Sequence, residues 1–139
     1  MTVDRVAEVR ERVDASLFHR RFGMILERVA EGEVDVGLEV APEHLNLMGT
    51  VHGGVLATLA DTATGLAYRT VLEPDTTFTT SQLSVAYLSP GRAGRIVARG
   101  RVVKRGRHTG YAEADVVDAE GRLLARATAL LAVMPEDAG

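Results

Sequence analysis

Cysteine is absent from the 139 residues. That excludes a disulfide scaffold and thiolate metal sites such as zinc ribbons, and it fits a reducing, cytoplasmic setting. Aromatic residues are few, with three Phe, three Tyr and no Trp, which argues against a stacking platform for single-stranded nucleic acid. No apolar run approaches the roughly 18–20 residues that a bilayer span requires. The first residues, MTVDRVAEVRERVD, are charged throughout and lack the apolar core of a signal peptide. Net charge is only −3, so a basic, general nucleic-acid binder is not expected. Lysine occurs once, at Lys104; every other basic residue is arginine, which reads as compositional bias.

What remains is ordinary globular material, 46% hydrophobic and 25% charged, at a length that predicts one domain over 1–139. Residues 3–21 carry Val3, Val6, Val9, Val13 and Leu17 at helical spacing among Asp, Glu and Arg. This predicts a surface helix that covers the fold without chemistry of its own. Residues 23–40 read as two strands around Glu31-Gly32, with Val34, Val36, Leu38 and Val40 alternating after the turn. A loop is expected over 41–52 and a second, long helix over 53–72. Alternation then returns at 83–87, 96–102, 112–116 and 123–133, punctuated by Ser89-Pro90-Gly91, Arg105-Gly106-Arg107 and Glu120-Gly121. Helix, two strands, long helix and a run of strands predict an α+β fold: one central helix wrapped by a curved antiparallel sheet of five to six strands, plus the N-terminal helix.

Between Gly53 and Tyr68 the long helix has one charged residue, Asp61. A helix without a charged face is expected to be covered on nearly all sides. Val55, Leu59, Ala63 and Leu66 form one stripe. Asp61 lies nearly opposite, beside Gly54, Ala57, Thr58, Gly65 and Tyr68. Most of those neighbours are small enough to admit a second backbone. The expectation is a dimer with Asp61 at or near its interface. A carboxylate there must be paired or hydrogen-bonded. It is either a structural aspartate satisfied by nearby donors or a catalytic one.

The preceding loop runs His44-Leu45-Asn46-Leu47-Met48-Gly49-Thr50-Val51-His52-Gly53-Gly54 straight into the helix. Glycines at a helix start leave backbone N–H groups unobstructed at the positive end of the helix dipole, where they can polarise a carbonyl; they also serve tight packing. His52 can be a base, a ligand or an orienting group. No second histidine stands at metal-ligand spacing, so no metal is expected. Asn46 is a turn residue or a group that fixes water or a carbonyl.

The stretch HLNLMGTVHGGVLATLADTA resembles the hotdog-fold acyl-CoA thioesterases, specifically the PaaI-type branch named from phenylacetic acid degradation. His44, Asn46, Gly49, His52, Gly53, Gly54 and Asp61 stand at that branch's spacing. The likeness continues through Tyr87-Leu88-Ser89-Pro90, the Lys104 to Arg107 turn and Asp118 to Gly121. It implies hydrolysis of acyl-CoA, with Asp61 as the essential carboxylate, either a base that activates water or a nucleophile. It further implies that the Gly53 N–H polarises the thioester carbonyl. Asn46 would position water or the carboxylate, His52 would support the loop, and Thr80, with Ser81 beside it, would orient water. The family builds each site across a dimer, Asn46 and Gly53 of one chain facing Asp61 and Thr80 of the other, and many members pair two dimers into a tetramer. No cofactor is implied beyond the coenzyme A of the substrate. The resemblance does not fix the acyl group; an aryl-acetyl or medium-length acyl chain is expected, in a tunnel formed by Leu47, Met48, Ala57, Tyr68 and the strand 76–82.

Residues 92–107 hold seven basic and no acidic residues. Cross-strand pairing of Arg99 and Arg101 with Asp115 and Glu113 accounts for two of them. Lys104, Arg105 and Arg107, at the turn and without such partners, are expected to meet the CoA phosphates, together with Gly54 at the substrate. Two other readings stand beside hydrolysis. A non-catalytic acyl-CoA-binding module would bind without turnover. A hotdog dehydratase or hydratase is disfavoured by the His52-Gly53-Gly54 block with Asn46.

Overall fold

The structure is a computed structural model and describes residues 4–137. Asp4 caps α1 (Arg5–Ala15) by accepting from the Ala7 N–H, and Val9 and Val13 turn inward. The single helix expected over 3–21 is instead two, because Ser16 adopts an extended conformation and its hydroxyl caps α2 (Leu17–Phe22). A serine side chain competes with the helical backbone in this way; the apolar spacing runs on through the break in the sequence, but Leu17, placed on the stripe by it, is 55% exposed. Gly23, at φ 92°, ends α2. Val3, assigned to the helix by its spacing, lies outside the described residues.

Strands β1 (Met24–Ala30) and β2 (Glu33–Glu39) form the expected hairpin, with Gly32 at positive φ in its turn. After a short 3-10 turn comes α3 (Gly53–Arg69), followed by β3 (Thr76–Tyr87), β4 (Arg95–Arg105), β5 (Thr109–Asp118) and β6 (Leu123–Pro135). The six strands are antiparallel, in the order β1-β2-β4-β5-β6-β3. The sheet curls round α3, which is the hotdog arrangement. Its β3 edge pairs only with β6 among the described residues.

Alternation puts Val34, Val36, Ile96, Ala98, Ala114 and Val116 on the inner face, against Leu56, Leu59, Ala60 and Ala63. The approach is close. A Cβ on Gly100 of β4 would stand 2.3 Å from the Ala63 carbonyl oxygen.

Helix α3 stops at Arg69, three residues short of the expected end. Thr70 donates to the Ala67 carbonyl and accepts from the Gly32 N–H, which closes the last turn. Leu72 remains buried beyond it, so apolar spacing overshoots the helix. Two other assignments on α3 change. Tyr68, placed on the Asp61 face, is 1% exposed, packed with Leu72, Ala112 and Leu131 and edge-to-face on Phe78. It is core, not tunnel lining beside Asp61. Leu66, placed on the core stripe, is only partly buried.

Candidate active site

Asp61 sits midway along α3, half-buried, and its Oδ1 accepts a 2.9 Å hydrogen bond from the Thr80 hydroxyl of β3. Its Oδ2 has no protein partner among the described residues. A bulge at Ser81 makes this pairing: Thr80 lies opposite Leu131, and Gln82 opposite Leu130. The extra residue changes the phase of the strand, so Phe78 and Thr80 face the helix on one side of it, and Leu83 and Val85 on the other. Ser81 itself is exposed and donates to the Leu130 carbonyl, which separates it from Thr80. Asp61 and Thr80 line a cleft of about 350 Å³ between α3, β3 and the N-terminal helices.

The loop residues gather elsewhere. Asn46 spends its amide on the loop: Nδ2 donates to the Thr50 hydroxyl, and Oδ1 accepts from the Met48 and Thr50 N–H groups. His44 is buried, accepting from the Ala41 N–H at Nδ1 and standing 2.9 Å from the Phe22 carbonyl at Nε2. His52 caps α3, its Nδ1 accepting from the Gly54 N–H at 2.8 Å. Gly54 therefore has its N–H committed to the cap.

The Gly53 N–H has no partner among the described residues and stands at the helix's positive end. Tyr87 donates its hydroxyl to the Gly53 carbonyl at 3.1 Å. Tyr87 is a contributor that sequence reasoning left in a similarity block without a role. Gly53 lines a second cleft, of about 330 Å³, with Val51, Leu56, Tyr87 and Leu88. Eight residues separate Gly53 from Asp61, about 12 Å along a helix. One chain thus carries the two halves of the expected site in two clefts.

At the β4–β5 turn, Arg105 is not free as expected: it donates to Glu73 at 2.6 Å and to the Val71 carbonyl at 3.0 Å. Its long side chain reaches past the hairpin to the end of α3. Lys104 and Arg107 are exposed without hydrogen-bond partners among the described residues. Arg101 pairs with Glu113 at 3.0 Å, as the register predicts. Asp115, expected to take Arg99, is instead held by Arg126 at 2.8 Å and approached by Arg101 at 3.5 Å. The Arg126 hydrogen bond keeps its carboxyl below the usual range.

The N-terminal helices, expected to be inert cover, bring Arg12, Ser16 and His19 to the Asp61 cleft. Their spacing already placed all three on one helical face. Burial pushes the His19 pKa down, and Arg69, also in the cleft, is lowered by the same cause. No cluster of metal-ligating side chains occurs among the described residues.

Residues 48–125 match the family model of the thioesterase superfamily. The chain belongs to that superfamily. Human acyl-coenzyme A thioesterase 13 is 30% identical over 125 residues, covering 85% of this chain and 89% of the relative. A thioesterase family protein from Silicibacter pomeroyi superposes with a TM-score of 0.89 at 25% identity, covering 94% of this chain and 98% of its own. The PaaI protein of the phenylacetic acid degradation operon of E. coli superposes at 0.85, with 22% identity and 94% of each chain covered, a likeness of fold. Helix α3 enters the matched segment whole, so Gly53 and Asp61 both lie inside it.

Proposed function

We propose that the chain hydrolyses acyl-CoA thioesters to the free acid and CoA, and that it does so as a homodimer with two shared sites. One observation carries the reading: the unpaired Gly53 N–H and the Asp61–Thr80 pair stand in separate clefts, about 12 Å apart along one helix. Two copies related by a two-fold axis bring each half against the other's complement. The β3 edge, which pairs only with β6 among the described residues, and the exposed Leu47 and Met48 of the loop before α3 suit such an interface. Thioesterases among the relatives support the substrate class.

In this scheme a water held at the open Oδ2 of Asp61 gives up a proton to it and attacks the thioester carbon. The Gly53 N–H stabilises the oxyanion. Collapse breaks the C–S bond, and the departing thiolate takes the proton from Asp61. Thr80 fixes the carboxylate, while Asn46 and His52 hold the loop that aims the N–H. Lys104 and Arg107 are the cations left to meet the CoA phosphates. An aryl-acetyl or medium acyl group, a pathway such as phenylacetic acid degradation, cytoplasmic location and a pair of dimers complete the reading.

The test is thiol release from phenylacetyl-, benzoyl-, butyryl- and lauroyl-CoA, run beside Asp61→Asn. Turnover that falls at least about a hundredfold in the variant is expected. A folded protein that binds CoA without turning over any thioester would make the chain a binding module. Full turnover in the variant would remove Asp61 from the chemistry.

A further inference from the structure

The Asp61 cleft ends in an arginine that makes no hydrogen bond among the described residues. Arg69 lies two turns beyond Asp61 on α3, with its side chain only 18% exposed. Its guanidinium stacks over the Phe78 ring at 5.0 Å. The nearest carboxylate, Glu8, already accepts from Arg5 at 2.7 Å and from Arg12 at 2.9 Å. Burial pushes Glu8 up, but those two guanidinium groups outweigh it and hold it below the usual range. Arg69 is left 3.8 Å from Glu8, beyond hydrogen-bond reach, and donates to no acceptor among the described residues. Its N–H groups are not sealed off, since Arg69 lines the cleft. His19 of α2 adds a second polar group to the cleft: its Nδ1 is 2.6 Å from the Ser16 hydroxyl, and its Nε2 has no protein partner among the described residues.

The spacing sets the size of what fits. Phe78 and Thr80 are two residues apart on β3, about 7 Å. Thr80 marks the reacting end through Asp61, and Phe78 marks the guanidinium. That interval is about the length of one aryl ring, or of a short chain, with Phe78 and Leu66 supplying apolar walls.

We propose that this cleft holds the acyl group, and that Arg69 selects acyl groups bearing an oxygen acceptor at the end far from the carbonyl. The inference rests on the proposed thioesterase activity and narrows its substrate class. Arg69 is a specificity residue: it touches the substituent, not the reacting carbonyl. An unsubstituted acyl group that fills the cleft displaces water from the Arg69 donors and offers nothing in return, which is how such sites reject analogues lacking an oxygen.

The experiment compares kcat/KM in two matched pairs: 4-hydroxyphenylacetyl- against phenylacetyl-CoA, and glutaryl- against pentanoyl-CoA. The first pair reads a hydroxyl, the second a carboxylate. In at least one pair the oxygen-bearing member is expected to be favoured about tenfold or more. In Arg69→Met, which keeps an apolar stem over Phe78, that ratio is expected to collapse toward one. Arg69→Lys, which keeps the charge, should retain part of it and serves if Arg69→Met folds poorly. Equal use of both members in each pair, or a preference that survives both substitutions, overturns the inference while leaving the hydrolase standing. No turnover of any of the four, in a protein that hydrolyses benzoyl-, butyryl- or lauroyl-CoA, overturns the inference alone; no turnover of any thioester overturns the hydrolase and the inference with it.

Discussion

Gly53 has two jobs at one atom pair: its carbonyl accepts from Tyr87, and its N–H is the one left open at the start of α3. A substitution can separate them. Proline is tolerated at the first position of a helix, where it removes only the N–H. His52 already has φ −60° and ψ 135°, a conformation that suits the residue before proline. Gly53→Pro should therefore leave the helix intact and lower kcat by about 10²–10³, the usual cost of one oxyanion donor. Gly53→Ala keeps the N–H and places a Cβ 3.3 Å from the Tyr87 ring, so it controls for crowding and should lose far less. Equal losses in the two variants would assign the effect to Tyr87 and take the Gly53 N–H out of the mechanism. The sequence made Gly53, Asp61 and His52 visible because their chemistry is tied to a fixed offset along one loop and helix. Arg69 was not visible in this way. An arginine in the last turn of a helix reads as an ordinary dipole partner, and it is the saturation of Glu8 by Arg5 and Arg12 that leaves Arg69 without a hydrogen bond among the described residues.

Element boundaries were set by single hydrogen bonds that periodicity does not register. The Ser16 cap splits one predicted helix into two, and the Thr70 cap ends α3 while apolar spacing continues to Leu72. The bulge at Ser81 matters more, because alternation extended back from Leu83 and Val85 would have turned Ser81, not Thr80, toward Asp61. The close seat of α3 on the sheet is the firmest energetic feature at this scale. At Gly100 a Cβ would meet backbone, the Ala63 carbonyl at 2.3 Å, which no side-chain rotation relieves. Gly100→Ala should destabilise the fold by about 2–3 kcal/mol, the upper range of overpacking, read as a lower midpoint in urea. Gly121→Ala is the comparison, since its Cβ would meet nothing within 4 Å and only the φ of 85° is strained. A Gly100→Ala midpoint no lower than that of Gly121→Ala would mean that the helix rides further from the sheet than 2.3 Å implies.

At the scale of the molecule, the decisive distance is the roughly 12 Å from Gly53 to Asp61 along a rigid helix. No side-chain rotation closes it, so a single thioester carbonyl cannot meet both groups of one chain. The sequence pointed toward a second copy through the small residues around Asp61, of which Gly54, Ala57, Thr58 and Gly65 remain at least partly exposed and Tyr68 does not. Subunit complementation tests the arrangement directly. Asp61→Asn and Gly53→Pro chains, each inactive alone, are refolded or co-expressed together. In the mixed dimer one site joins the intact Gly53 of the first chain to the intact Asp61 of the second, while the other site carries both lesions. Random pairing makes half the dimers mixed, each with one of two sites working, so about a quarter of wild-type activity is expected. If each chain held a complete site, every site in the mixture would still carry a lesion and the activity would stay at the level of the two variants alone. Recovery in proportion to the mixed dimer, separated by a charge tag on one chain, ties the rescued turnover to the shared interface.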